Sequence, residues 1–298
     1  MAYFERDGKI GLVHKDGRIL SEAVYDYVRP FFDGFASVSQ NGQQGMINLK
    51  GEVVVQPQWY YLGEPSEGMV PVMSDKGCGF IDTTGNVIVP PIWEWADPFR
   101  EGVSMVGKDD MFGLIDHTGN LILDIVYHYA TTVNEGLFCA SEGKQTVYYD
   151  VRGREIFRTD SYNARGFSEG VAALEEGGLF GFIDATGKYV IEPQFKDCGS
   201  FRQGLSAVWL EDWSCTFIDH RGNIVFDDRW DDAGIFNDNL APVMKNGKWG
   251  YIDLSGDVVL DYQWREAYSF DRGCAAVRKD SQMGYINTRG EYICGIKE

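Results

Sequence analysis

Gly250-Tyr251-Ile252-Asp253-Leu254-Ser255-Gly256 is the stretch from which the architecture can be read. Asp-x-x-Gly suits a tight turn: the aspartate accepts hydrogen bonds from amides ahead of it, and the glycine takes a positive φ. Apolar residues flank the turn, Tyr251 and Ile252 before it and Val258, Val259 and Leu260 after it, which predicts a β-hairpin. The same pattern begins at Gly79, Gly113 and Gly181, more loosely at Gly11, Gly45 and Gly284, and without its first glycine at Val147 and Thr216. The starts are 34 residues apart, with one step of 35 between Gly181 and Thr216.

Working outward, three further columns keep the register. The turn closes on glycine every time, at 17, 51, 85, 119, 153, 187, 222, 256 and 290. Fourteen residues after the start stands an aromatic: Tyr25, Trp59, Trp93, Tyr127, Phe195, Trp230 and Trp264, with Tyr162 one place late in the fifth copy. Nine residues further on stands glycine, or Asn239, the usual substitute where backbone turns left-handed. A repeat that runs through the chain replaces the two domains that 298 residues would otherwise suggest. It predicts one all-β repeat domain over 1–298, with about nine hairpins starting near 11, 45, 79, 113, 147, 181, 216, 250 and 284.

Within each copy the second hairpin strand is continuously apolar, as in Val53-Val54-Val55 and Leu121-Ile122-Leu123, which predicts burial on both faces. A third strand after the column glycine alternates, as in Leu205, Ala207 and Val208, so each unit is expected to be a three-stranded antiparallel meander. Phe99, Phe167, Phe201, Phe236 and Phe270 fall in the connections, and no helical periodicity is sustained.

The stretch Asn246-Gly247-Lys248-Trp249-Gly250-Tyr251-Ile252-Asp253 resembles the signature of the WG-repeat family, also called KWG repeats. Val89-Pro90-Pro91-Ile92-Trp93 and Phe167-Ser168-Glu169-Gly170 resemble its companion segments, and the resemblance spans essentially the whole chain. The tryptophan before the glycine survives only as Trp249; Phe112, Phe180, Cys78 and others replace it elsewhere. The resemblance implies a mostly bacterial repeat module, often joined to other domains, that binds or scaffolds and carries no catalytic residues.

Units that bury strands on both faces stack as an open solenoid or close as a propeller-like ring. Propeller blades usually need about 40–45 residues and four strands. A unit of 34 residues, in a chain that begins just before one hairpin and ends just after another, makes the open array the favoured expectation and the closed ring the alternative. The more polar first copy, with His14, Lys15, Ser21 and Glu22, suits a solvent-facing cap.

Composition limits the function. The net charge is −18, which disfavours nucleic acid and anionic membrane as partners. The start lacks a basic segment followed by an apolar one, and no apolar run is long enough to span a bilayer. The six cysteines, 78, 139, 198, 215, 274 and 294, have no zinc-type spacing and read as reduced thiols of a cytoplasmic protein. Turn aspartates 82, 116, 150, 184, 219 and 253 offer one carboxylate each, too few for calcium loops, so no metal or cofactor is expected. His14, His117, His128 and His220 form no catalytic motif, and neither a phosphate loop nor a G-x-S-x-G elbow is present.

The off-column aromatics Tyr60, Tyr61, Trp95, Trp209 and Trp213 are therefore the informative ones. Trp209 and Trp213 lie where the repeat has its extra residue, beside Glu211, Asp212, Asp227, Asp228, Asp231 and Asp232. Charge speeds encounter and aromatics supply contact energy, so Trp95 and this acidic segment are candidate contacts for a protein partner, particularly a basic one. The expectation is a non-enzymatic interaction scaffold. The alternatives are a carbohydrate or small-ligand module and an acidic inhibitor or immunity-type protein that neutralises a basic partner.

Overall fold

A computed structural model describes residues 2–143, 145–161 and 163–295, and Tyr162 lies outside them. Every regular element among them is a β-strand, and the strands form nine antiparallel sheets that follow one another along the chain. Two compact units divide the chain: Met1–Gly136 with Ala140–Glu142 and Tyr149–Arg154, and Leu137–Cys139 with Gly143–Tyr148 and Glu155–Glu298.

The sheet Trp95–Ala96, Val103–Lys108, Met111–Asp116 and Leu121–Tyr127 shows the plan. Its four strands are here termed rim, inner, central and outer, and they pair in that order as a meander. The two-residue rim strand is the element that the three-strand expectation lacks. Among the described residues five sheets have all four strands and four have three.

The turns form as their residues require. In the central–outer turn the Gly85 amide donates to the Asp82 carbonyl, and Asp82 Oδ1 accepts the amides of Thr84 and Asn86. All nine closing glycines have positive φ, between +74° and +96°. The rim–inner turn is a two-residue hairpin with both central residues left-handed, as at Glu67 (+52°) and Gly68 (+78°), the geometry that suits the strand twist. Asn239, at +64°, replaces the glycine in one such turn, as its place in the column predicts.

Burial corrects two expectations. The outer strands, read as buried on both faces, are exposed edges of their sheets: Val87 and Ile88 are 50% and 38% exposed, and Val89 and Trp93 are the buried residues of that strand. The inner strands, read as alternating, are the ones buried on both faces, as in Val103-Ser104-Met105-Val106-Gly107. β-branched residues suit an exposed edge strand as well as a buried one, so an apolar run does not reveal which strand of a meander is covered.

The first glycine of the repeat has its own cause. Between Cys78 and Phe80 the register slips, and the outer strand bends across Gly79 at Pro90-Pro91. A Cβ there would lie 2.5 Å from the Val89 carbonyl oxygen and 2.7 Å from Pro91 backbone atoms. This glycine is required for close approach of two backbones.

The core is a series of layers, each shared by consecutive sheets. One comprises Phe80, Val89, Trp93 and, from the next sheet, Phe99, Val106 and Ile115. The column aromatics are its anchors, and the connecting phenylalanines are buried with them. Trp230 Nε1 donates to the Tyr262 hydroxyl at 2.9 Å and Trp264 Nε1 to Tyr292 at 3.1 Å. Trp59 and Trp93, with Pro91 and Ile125 where Tyr262 would stand, have buried Nε1 atoms without a partner among the described residues.

Candidate functional site

The rim strands position the candidate surface. In a two-residue strand of this kind one side chain points into the core and its neighbour points out. Val28 and Leu62 go inward, and Tyr27 and Tyr61, sixteen residues after their repeat starts, go outward. Trp95 and Tyr129 hold the same place in the next two repeats. Tyr61 and Trp95 are thus members of a column, contrary to their off-column reading. The column continues in the second unit as Asn163, Asp197, Asp232 and Glu266. One surface position is aromatic throughout the first unit and polar or acidic throughout the second.

Trp95 borders a groove of about 510 Å³. Its indole meets Phe112 edge-on at 5.6 Å, and Phe112 stands where the repeat signature has tryptophan. Met105, Met111 and Tyr129 complete the apolar lining, while Glu94, Asp97 and Asp110 bring carboxylates against the single lysine, Lys108. Burial pushes the Asp97 carboxyl above the ordinary aspartate range, with Arg100 working against it.

The second unit carries the other candidates. The extra residue of the chain falls in the inner–central turn, where Leu210 and Ser214 pair and Trp213 takes φ +62°. Trp213 is 61% exposed. Trp209 is half-buried, faces Asp197 across the ladder and packs against the layer containing Cys215 and Trp230, which corrects its reading as an exposed ring. Glu211 pairs with Lys196 at 3.0 Å, and Asp212 accepts the Ser214 hydroxyl and amide.

Asp227 and Asp228 lie where the outer strand of this repeat is reduced to isolated bridges. Arg229 spends one guanidinium nitrogen on the backbone carbonyls of Phe226, Asp227 and Asp228 rather than on the carboxylates of the two aspartates. Lys245 lies 3.6 Å from Asp228, and the Gly247 amide is 3.4 Å from Asp231. Burial raises the Asp232 carboxyl, and the negative Asp197 adds to the rise. Asp197 and Trp209 thus face each other in one sheet, with Glu211 and Trp213 in its inner–central turn, while Asp228, Asp231 and Asp232 lie against the inner strand and turn of the next sheet at Met244, Lys245 and Gly247.

The turn histidines are held separately, each within its own unit. His117 stacks on Phe99 at 4.5 Å with Nε2 3.2 Å from Glu67, and His220 stacks on Phe201 at 4.1 Å with Nε2 3.2 Å from Glu169. The turn aspartates spend their oxygens on turn amides and hydroxyls. Partial burial opposes ionisation at Asp82, but hydrogen bonds from Thr84 and Asn86 outweigh it and hold the carboxyl at about 2. Cys78, Cys198, Cys215, Cys274 and Cys294 are free thiols; burial pushes Cys198 up to about 12 and raises Cys215 as well.

A second set of carboxylates, which the sequence reading missed, ties consecutive sheets together at their rim–inner turns. Glu67 accepts the Gly102 amide, Glu101 accepts those of Glu135 and Gly136, Glu169 that of Gly204, and Asp238 that of Gly273. The only signal available was an acidic residue recurring before the column glycine.

Among curated proteins no sequence matches this chain. In fold, it is similar to a eukaryotic initiation factor, at 12% identity over 78% of this chain and 74% of that one, with a TM-score of 0.52. It is also similar to Kluyveromyces lactis Hsv2, at 11% identity over 63% and 71% with a TM-score of 0.45. BamB from Moraxella catarrhalis aligns over 93% of both chains at 9% identity and a TM-score of 0.44. The WG containing repeat matches residues 10–43, 45–78, 79–111, 112–144, 180–208, 216–249 and 249–282. With seven matches over most of its length, the chain belongs to the WG-containing repeat family.

Proposed function

We propose that this protein is a non-enzymatic interaction scaffold whose rim-strand surface docks a protein partner bearing basic residues. The observation that carries this reading is the outward rim column, which places Tyr27, Tyr61, Trp95 and Tyr129 in one unit and Asp197, Asp232 and Glu266 in the other. Aromatics give contact area at low entropic cost, and within the first unit the carboxylates of Glu94, Asp97 and Asp110 beside Trp95 attract a basic partner to it. Asp227, Asp228 and Asp231, with Trp213 exposed nearby in the sequence, extend the acidic part. The free thiols of Cys78, Cys198, Cys215, Cys274 and Cys294 suit a reducing compartment, and we place the protein in the cytoplasm on that basis.

For the arrangement of the sheets we retain the open array as our reading, because a unit of 34 residues is short for a propeller blade. Small-angle scattering separates it from a closed ring. The functional reading is tested by titrating a lysine- and arginine-rich peptide and following tryptophan emission. Binding that weakens with salt and with Asp228→Asn and Asp231→Asn supports it. Binding that ignores salt and both substitutions overturns it.

A further inference from the structure

The rim column contains its own control. Tyr27, Tyr61, Trp95 and Tyr129 are 53%, 41%, 40% and 48% exposed, so their rings do little for the core. At the same place the second unit uses Asp197, Asp232 and Glu266, each in the same kind of short strand. The fold therefore accepts a carboxylate at this position, and packing does not require the aromatics of the first unit. The neighbouring geometry repeats as well. Arg29 lies over the Tyr61 ring at 5.9 Å, and Arg165, at the same place in its repeat, reaches the Asp197 carboxylate at 2.7 Å. The ring at this column is thus already a site where a guanidinium settles.

What occupies the groove beside Trp95 follows from its lining. Trp95, Phe112 and Tyr129 offer ring faces and edges, Met105 and Met111 an apolar floor, and Glu94, Asp97 and Asp110 an excess of negative charge. Thioether floors and excess carboxylate favour an apolar, cationic ligand over an uncharged polyhydroxylated one. Pro-rich segments dock in aromatic-lined grooves because their polyproline II helix is formed before binding, and little chain entropy is lost. Asp97, half-buried and held partly against ionisation by that burial, is the carboxylate that gains most from an arriving cation.

We propose that the groove of Trp95, Phe112 and Tyr129 docks a proline-rich segment in polyproline II conformation, with a proline ring against Trp95 and a neighbouring arginine or lysine against Asp97. This rests on the reading of the protein as a scaffold for basic partners and names the kind of segment recognised.

The test uses the full chain and a fluorescein-labelled peptide of repeated Pro-Pro-Arg triplets, read by anisotropy. A Gly-Ser-Arg peptide of equal charge and a chitin hexasaccharide run beside it. The discriminating variant is Trp95→Asp, which installs the residue that the fold itself carries at 197 and 232; circular dichroism checks that it stays folded. The expected result is saturable binding of the proline peptide, weakened about tenfold or more by Trp95→Asp and several-fold by Asp97→Asn. Unchanged affinity in Trp95→Asp overturns the proposal. Equal binding of the Gly-Ser-Arg peptide also overturns it but leaves the basic-partner reading standing. Binding of the hexasaccharide without either peptide overturns both. Absence of binding by all three probes overturns the groove proposal, and the peptide titration of the acidic segment then decides the scaffold reading by itself.

Discussion

Replacing Gly79 by alanine tests the physical account of the repeat's first glycine. The added Cβ would stand 2.5 Å from the Val89 carbonyl oxygen and 2.7 Å from both the nitrogen and Cα of Pro91. Ordinary contact begins near 3.4 Å, so the Cβ must force apart two backbones by most of an ångström. The obstructing atoms belong to a proline-stiffened strand, so relief by rotating a side chain is not available. Overpacking costs typically 1–3 kcal/mol, and backbone obstruction puts this case at about 3 kcal/mol. The matched control is Gly102→Asn: Gly102 has φ +87° and nothing within 4 Å of a built Cβ, and Asn239 occupies the equivalent turn. Its cost is expected to stay below about 1 kcal/mol. At about 2–4 °C per kcal/mol for a body of this size, thermal unfolding by circular dichroism should drop by about 6–12 °C for Gly79→Ala and by no more than about 4 °C for Gly102→Asn. Equal melting temperatures for wild type and Gly79→Ala, or the reverse order of the two variants, would refute the close-approach argument.

Glu101→Ala removes the acceptor of two amides, those of Glu135 and Gly136, and should destabilise the first unit by about 1 kcal/mol after allowing for solvent exposure, read by urea unfolding; no loss would show that these ties between sheets are idle. Tyr262→Phe leaves the buried Trp230 Nε1 as it is at Trp59 and Trp93, at a cost of about 1–2 kcal/mol by the same method. Stability should also fall steeply in acid. Asp82, Asp116, Asp150, Asp184 and Asp219 all have carboxyls lowered from 3.8 in the folded state, so their contribution is complete above 3.8 and is lost as pH falls below it, through about 2 in the case of Asp82. Asp97 and Asp232 act with the opposite sign, since their carboxyls are raised and protonation relieves a cost before that fall begins. A melting temperature that climbs continuously from neutral pH to pH 2 would contradict this balance.

The periodic part of the fold was legible because its signals are local. Asp82 and Gly85 specify a turn whatever the rest of the chain does, and Asn239 keeps its left-handed place among glycines. What the sequence hid depends on neighbours in space. Val87-Ile88-Val89 reads as a buried strand, yet the face it shows to solvent is decided by where the next sheet rests. Glu67 and Glu101 adopt left-handed backbone that glutamate seldom takes, because the two-residue hairpin imposes it, so composition gave no warning. The rim column escaped notice for another reason: its residues change from aromatic to acidic in mid-chain, and a column is easily seen only while its chemistry stays the same. Trp95 and Trp213 were found as exposed aromatics, but Trp209 was not separable from them until Cys215 and Trp230 were seen against it.

Hydrogen exchange of the full chain with and without the Pro-Pro-Arg peptide tests most directly the claim that the rim-strand surface is the binding surface. The account predicts slowed amide exchange in segments 94–97, 105–112 and 129–132, which line the Trp95 groove. Protection confined to the rim–inner turns around Glu67 and Glu101, with the groove segments exchanging as in the free protein, would contradict it.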